Sequence, residues 1–185
     1  MNTATLQKHL NSLGYLCGPA DGLPGPRTKD ATRRFQASWN LGPYLAVDGI
    51  AGPKTRTALT AAVASGGKIS AHFRASEFRC KCCGKYTGCA GVVVERADLI
   101  GLEKLRDNAY PKGLKIVSGY RCGGHNRAVG GAKSSRHLVG DAFDIPAVVP
   151  TESDKIPARF KGRGRAKNGR VRHLDSRPNP ARWNY

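Results

Sequence analysis

Acidic residues are scarce in this chain. Its 185 residues hold 13 Asp and Glu against 31 Lys and Arg, a formal net charge of +18. That imbalance does not choose a fold. It points away from basic partners and toward an anionic one: nucleic acid, an anionic membrane surface or an anionic cell wall. Long apolar runs are missing as well. No stretch of about 18 apolar residues occurs, which excludes an apolar membrane-spanning helix. The opening MNTATLQKHLNSLGYLC has no basic segment followed by an apolar one. The sequence therefore predicts synthesis in the cytoplasm without a standard export signal. Aromatic residues make up 7% of the chain and apolar residues 39%, enough for one medium domain or two small ones with a modest core. With no export signal, the six cysteines (Cys17, Cys80, Cys82, Cys83, Cys89 and Cys122) are not read as a disulfide framework.

What the chain does have begins with a repeat. Residues 21–28 read DGLPGPRT and residues 48–55 read DGIAGPKT. Their Gly and Pro residues set tight turns, and each repeat runs into a helix-start pattern. In the helix after the first repeat, Ala31, Phe35 and Trp39 lie four apart on one face. Upstream, Leu6, Leu10 and Leu13 share a helical face that Gly14 closes as a C-cap. These signals predict a small all-α domain of three helices over residues 1–64. The small residues around ASGGKIS predict a linker at residues 65–71.

The combination is more specific than its parts. LQKHLNSLGYLCGPADGLPGPRTKDATRRFQ followed by VDGIAGPKTRTAL closely resembles the peptidoglycan-binding domain of cell-wall hydrolases. The resemblance covers residues 5–62 and implies a non-catalytic module that docks on cell-wall glycopeptide.

A second domain is expected over residues 72–185. HFRASEFRCKCCGKYTGCAG reads as irregular structure held by cysteines. VVERADLIGLEKLRDNAY reads as an amphipathic helix with Leu99, Leu102 and Leu105 on one face. LKIVSGYR predicts a strand over 114–117, HNRAVGGAKSS a glycine-rich loop, HLVGDAFDIPAVV a strand, and RVRHLDSR a last short strand. Without regular β-α-β alternation, the expectation is an α+β domain with a small antiparallel sheet.

Within it, His137 and Asp144 stand seven positions apart, with a glycine between them. A catalytic zinc takes three protein ligands and leaves one position open. Strand alternation puts Asp144 with Ala142 on one face and Phe143 with Ile145 on the other, so the carboxylate can leave the core while its neighbours fill it. His173 is the best third ligand, and Asp175 shares its strand face. His9, His72 and His125 are the remaining histidines.

Ser-x-His-x-x-Gly-x-Ala-x-Asp is met by Ser135, His137, Gly140, Ala142 and Asp144, preceded by Ser-Gly-Tyr-Arg at 118–121 and His-Asn-Arg-Ala-Val-Gly-Gly at 125–131. This block closely resembles the zinc D-alanyl-D-alanine carboxypeptidase and endopeptidase family, which includes phage L-alanyl-D-glutamate endolysins. The resemblance, weaker at its ends, covers most of residues 72–185. It implies that His137, Asp144 and His173 hold one catalytic Zn2+, that Arg121 faces the substrate carbonyl or carboxylate, and that Ser135, with Tyr120 of the matching motif, binds substrate. The family usually carries Asp or Glu three residues before the last histidine as general base; here that residue is Arg170. Asp175 is taken as the catalytic acid-base residue, with Glu152, Asp154 and Asp141 as alternatives. An Asp two residues after the histidine accompanies the usual base in the family, so a supporting role for Asp175 also stands open.

Cys80, Cys82, Cys83 and Cys89 are candidates for a second, structural zinc, with help from His72 or Cys122. A reduced cluster or one disulfide is the competing reading, because the spacing is not a standard finger. The basic segment 155–172 lacks interleaved aromatics for stacking bases, so anionic wall polymers, and not nucleic acid, are its expected partners. Together these readings predict a monomeric, endolysin-like peptidoglycan hydrolase that cuts stem-peptide or cross-link amides, with a D-alanyl bond favoured over L-alanyl-D-glutamate. If phage-encoded, it would reach the wall through a holin pore. The alternative is a zinc-containing wall-binding protein that does not hydrolyse.

Overall fold

Asn2 opens the first helix by accepting a hydrogen bond from the Thr5 amide at 2.9 Å. In the computed structural model, which describes residues 1–185, helix α1 spans Thr3–Ser12, α2 Pro26–Ser38 and α3 Pro53–Ala64. Gly14, at φ 88°, ends α1. The amide of Tyr15 reaches back to the Leu10 carbonyl at 2.9 Å and that of Gly14 to Asn11 at 3.0 Å. This is a left-handed glycine closure that satisfies the last carbonyls of the helix. α2 and α3 each begin with a proline after a glycine, Gly25–Pro26 and Gly52–Pro53. There the ring's fixed φ suits the first turn and its missing N–H costs nothing.

The repeated turns are held by a repeated device. Gln7 of α1 donates to Asp21 at 2.9 Å, to the Leu23 carbonyl at 3.0 Å and to Thr28 at 3.2 Å, and accepts from the Gly22 amide at 2.8 Å. Gln36 of α2 does the same one repeat later, with Asp48 at 2.9 Å, Ile50 at 3.0 Å, Thr55 at 3.1 Å and the Gly49 amide at 2.8 Å. Both glutamines are buried, and each finds every partner it needs, which removes the penalty of burying an amide. Around them Leu6, Leu10, Phe35, Leu59 and Ala62 close the core.

The second domain opens with a single 3-10 turn, Ala75–Phe78, and continues to α4, Arg96–Ala109. Leu99, Leu102 and Leu105 of α4 are fully buried. Gly101 lets the helix approach the ring of Phe160, which an added Cβ would meet at 3.0 Å. Phe78, Phe143 and Phe160 form an edge-to-face row with centroids 5.8 and 6.0 Å apart, a packing worth about 0.5–1.5 kcal/mol per pair beyond area burial. The segment expected as a glycine-rich loop from His125 onward begins instead within a short helix, α5, Gly123–Ala128. The Cys122 sulfur accepts from the His125 amide and starts it. Residues 114–117, expected as a strand, form none; the chain there makes only an isolated bridge just beyond them, at Ser118 opposite Asp144.

Four strands follow: β1 Ala142–Asp144, β2 Gly162–Arg165, β3 Val171–Asp175 and β4 Ala181–Asn184, in the order β1-β3-β2-β4. β1 and β2 both run antiparallel to β3. β4, however, pairs parallel to β2, so the sheet is mixed and the expectation of a purely antiparallel one is corrected. Both edges of β3 are already taken. The chain reverses after Asp175, and only the free edge of β2 remains for β4 to join, in the direction of β2.

One sheet face, with Phe143 and Leu174, packs into the core. Register puts Asp144 beside His173, Ala142 beside Asp175, Gly162 beside Asp175, and Gly164 beside His173 and Trp183 on the other. The alternation in GRGR has a reason here. A Cβ on Gly162 would run into the Asp175 carboxylate, and one on Gly164 would meet Tyr185 at 2.6 Å and Trp183 at 2.9 Å.

The two domains share one core of 31 buried residues. Their backbones meet directly: the Leu16 amide donates to Ala90 at 3.2 Å and that of Val92 to Gly14 at 3.0 Å. Arg34 of α2 donates to the carbonyls of Ala90 and Leu16. Gly91 is required at this seam, since a Cβ there would collide with the Gly14 carbonyl. The segment between the domains is packed as well, with Ile69 and Ser70 buried and the Asn40 amide on Ile69 at 2.8 Å. No helix is long and apolar enough to cross a membrane.

Candidate metal centre

His137 sits on a single 3-10 turn, Arg136–Leu138, Asp144 ends β1 and His173 is central in β3. The β1–β3 register pairs Asp144 with His173. The His137 turn is drawn in from below: its carbonyl accepts from the Arg121 amide at 2.9 Å, and Gly140, at φ 85°, turns the chain against Val93 where no side chain fits. The result brings three ligand atoms together. His137 Nε2 lies 3.2 Å from His173 Nδ1 and 3.3 Å from Asp144 Oδ1, and His173 Nδ1 lies 3.0 Å from the same oxygen.

The far nitrogens of both rings have acceptors. His137 Nδ1 donates to the Gly119 carbonyl at 2.7 Å, and His173 Nε2 donates to Asp175 at 3.1 Å. With the protons held there, two imidazole lone pairs and a carboxylate oxygen face one another across a buried gap. A divalent cation is what reconciles such a donor set, and the outer acceptors fix the ring tautomers for it. The residues present therefore fit a zinc ion. Burial would raise the Asp144 pKa, but the His137 and His173 rings beside it outweigh that and hold the carboxyl well below the usual range. Burial alone would lower the pKa of His173, but Asp144 and Asp175 on its two sides raise it.

The other sequence-selected residues fall in distinct places. Arg121 is drawn to the cluster: Nη2 donates to Asp144 Oδ2 at 2.5 Å and Nε to Ser118 Oγ at 3.1 Å. Ser135 is half-buried at the start of the His137 turn, with no capping bond from its side chain. Tyr120 is not brought to the cluster face; it packs in a separate core with Cys80 and Cys122. Asp175 is fully buried, and both its oxygens are engaged by Arg177, Nε at 2.7 Å and Nη2 at 2.7 Å, besides His173. Against the opposing effect of burial, these hydrogen bonds keep its pKa well below the ordinary carboxylate value.

Arg170 is exposed and donates to the Val148 carbonyl. Among the alternative acids, Glu152 pairs with Arg182 at 3.2 Å, Asp141 pairs with Arg136, and Asp154 is exposed. Four cysteines also converge, but the set differs from the one read in the sequence. Cys80, Cys82, Cys89 and Cys122 form it. Cys83, at φ 51°, is turned out to solvent, and His72 is paired with Glu103 at 2.8 Å.

Sequence reasoning missed one wall of the cluster. Trp183 lies edge-on to His173 with centroids 5.1 Å apart, Tyr185 follows at 6.4 Å, and Arg177 stacks on the Trp183 ring at 4.9 Å. Burial and the nearby Asp144 charge push the Tyr185 hydroxyl up. The alternation in RWNY was the available signal, since period two puts both aromatics on one strand face.

Comparison with known proteins covers both halves of the chain. The profile of the peptidase M15 family matches residues 71–176, and that of a peptidoglycan binding domain matches residues 2–59. The zinc D-Ala-D-Ala carboxypeptidase of Streptomyces albus G is 32% identical over 132 residues, 69% of this chain and 49% of that protein. The chain thus spans about half the length of that curated relative. With a match over more than half its length and a buried His–Asp–His cluster inside it, the chain belongs to the peptidase M15 family and carries an N-terminal peptidoglycan-binding domain.

Proposed function

We propose that the chain is an endolysin-like peptidoglycan hydrolase that binds wall through its first domain and cleaves a stem-peptide or cross-link amide with its second, at a D-alanyl bond. The observation that carries this reading is the convergence of His137, Asp144 and His173, each oriented from behind by a hydrogen bond. Zinc held by these three would polarise the scissile carbonyl and lower the pKa of water toward about 7. The name of the relative from Streptomyces albus G supports the D-alanyl choice; an L-alanyl-D-glutamate bond is the competing target.

Around that chemistry the chain's own residues divide the work. Arg121, resting on Asp144, is positioned to turn its guanidinium toward a developing oxyanion or a substrate carboxylate. Ser135 offers a hydroxyl at the rim. Trp183 and Tyr185 give the site an apolar wall that limits water around the bond. Asp175 is better suited to positioning His173 than to moving a proton, because both its oxygens are occupied.

One observation favours a second reading. The residue at the family's usual base position, Arg170, is a cation directed away to Val148, which is what a wall-binding protein that has lost hydrolysis would show. Mass spectrometry of purified peptidoglycan incubated with the protein, with and without chelator, separates the two. New peptide termini that vanish with chelator support the hydrolase and identify the bond. Intact wall that still pulls down the zinc-loaded protein supports the binder.

A further inference from the structure

We infer that Cys80, Cys82, Cys89 and Cys122 form a tetrathiolate site for a second zinc ion, structural in role and separate from the His137 cluster. All four sulfurs lie within 4.8 Å of one another. Cys82 is the hub: its sulfur is 3.4 Å from Cys80, 3.4 Å from Cys89 and 3.6 Å from Cys122. Sulfurs at about 2.3 Å from one tetrahedral ion would stand about 3.8 Å apart, whereas a disulfide needs about 2.05 Å. One sulfur equally close to three others matches a shared ion and does not match two separate pairs.

The backbone around the cluster supports the same reading. The Cys122 amide donates to Cys80 at 3.3 Å and the His125 amide to Cys122 at 3.4 Å. Sulfur accepts such bonds well as thiolate and weakly as thiol. The turn between the ligands is unusual. Cys83 at φ 51° and Gly84 at φ 88° lie in succession in the left-handed region, which costs free energy for a non-glycine residue. That turn leaves Cys83 exposed while Cys82 stays in the cluster. Gly124 is needed beside it, because a Cβ there would meet the Tyr86 ring at 2.5 Å. A purely sulfur donor set selects zinc over hard cations.

The position of the ion gives it a job. Cys122 directly follows Arg121, and Cys89 directly precedes Ala90 and Gly91, where the first domain docks. One ion therefore ties the arginine-bearing turn to the seam between domains, two segments more than thirty residues apart in the chain. The inference does not depend on hydrolysis and stands whether or not the wall is cut.

Metal analysis of the full chain, purified reduced, tests it. Two zinc ions per chain are expected, one for each cluster, with Cys82→Ser and Cys89→Ser each keeping one and His137→Ala also keeping one. Because a cysteine variant can fail to fold, the wild-type chain is also loaded with cobalt. An intense near-ultraviolet sulfur-to-cobalt band is expected, together with protection of four cysteines from alkylation while Cys83 reacts. A single zinc lost in His137→Ala, iron in place of the second zinc, disulfide-linked peptides among the four cysteines, or bound cobalt without the sulfur band would each overturn the assignment.

Discussion

His173 and Asp175, two residues apart on the same face of β3, share a hydrogen bond of 3.1 Å. The opposite ring nitrogen of His173 faces Asp144 at 3.0 Å. The imidazole is thus held from outside so that it can present a lone pair inside. Asp175→Asn is expected to weaken zinc at the His137 cluster by about 10–100-fold while the fold persists. Competition with a chromogenic chelator measures this. A variant with unchanged zinc affinity and abolished hydrolysis would make Asp175 a proton-transfer residue instead.

Arg121→Ala is expected to lower kcat by about 100- to 1,000-fold on peptidoglycan fragments, the size of a lost oxyanion donor. Zinc content should hold, because His137, Asp144 and His173 remain. Steady-state kinetics with metal analysis checks both. If zinc is lost with activity, the arginine serves only to hold Asp144.

Gln36 has four partners and no exposure to water that could replace them. Gln36→Leu should destabilise the chain by about 1–3 kcal/mol per partner group left unsatisfied and buried, and Gln7→Leu should match it. Urea unfolding reports the difference. A large effect at one glutamine and none at the other would break the equivalence of the two repeats.

Asp98 sits in the first turn of α4, buried, and burial raises its pKa above 3.8 despite the Arg159 hydrogen bond at 2.5 Å. The folded state therefore keeps a proton that the unfolded chain has released. Stability from this group falls as pH rises from 3.8 through the native pKa, because the native state binds more protons in that window. Asp98→Asn should flatten that part of the pH–stability curve. Urea midpoints for both proteins across the acid range test the sign, and an unchanged slope rejects it.

Binding to isolated walls should weaken steeply as salt rises, given a net charge of +18 and a screening length of about 10 Å at 0.1 M. Pull-down across a salt series measures it. Retention that does not change from low to high salt would mean that contacts other than charge hold the protein to the wall.

Much of this was legible because chemistry or backbone geometry restricts residue type. Prolines and glycines at 25–26 and 52–53 mark helix starts, Gly14 marks a helix end, and ligand chemistry singles out His137, Asp144 and His173. What was hidden depended on direction and on distant partners. Cys83 neighbours Cys82 in sequence, yet a left-handed backbone turns it away, and Cys122, read from the sequence only as a possible helper beyond α4, takes its place in the set. Tyr120 sits beside Arg121 but points toward the cysteines. The parallel placement of β4 follows from which sheet edge is still open, which local pattern does not encode. Trp183 and Tyr185 reach His173 only because β4 took that edge.

The seam at Gly14 and Gly91 has a mechanical meaning. Two domains on a slack tether would gain only local concentration, and the blade could swing through any bond within reach. Here backbone hydrogen bonds and a common core join them, so the anchor and the blade form a caliper of fixed opening. If the proposed hydrolysis holds, cutting would depend on the spacing of the wall itself: a strand gripped by the first domain would offer the second only those peptides that project at the matching distance and angle.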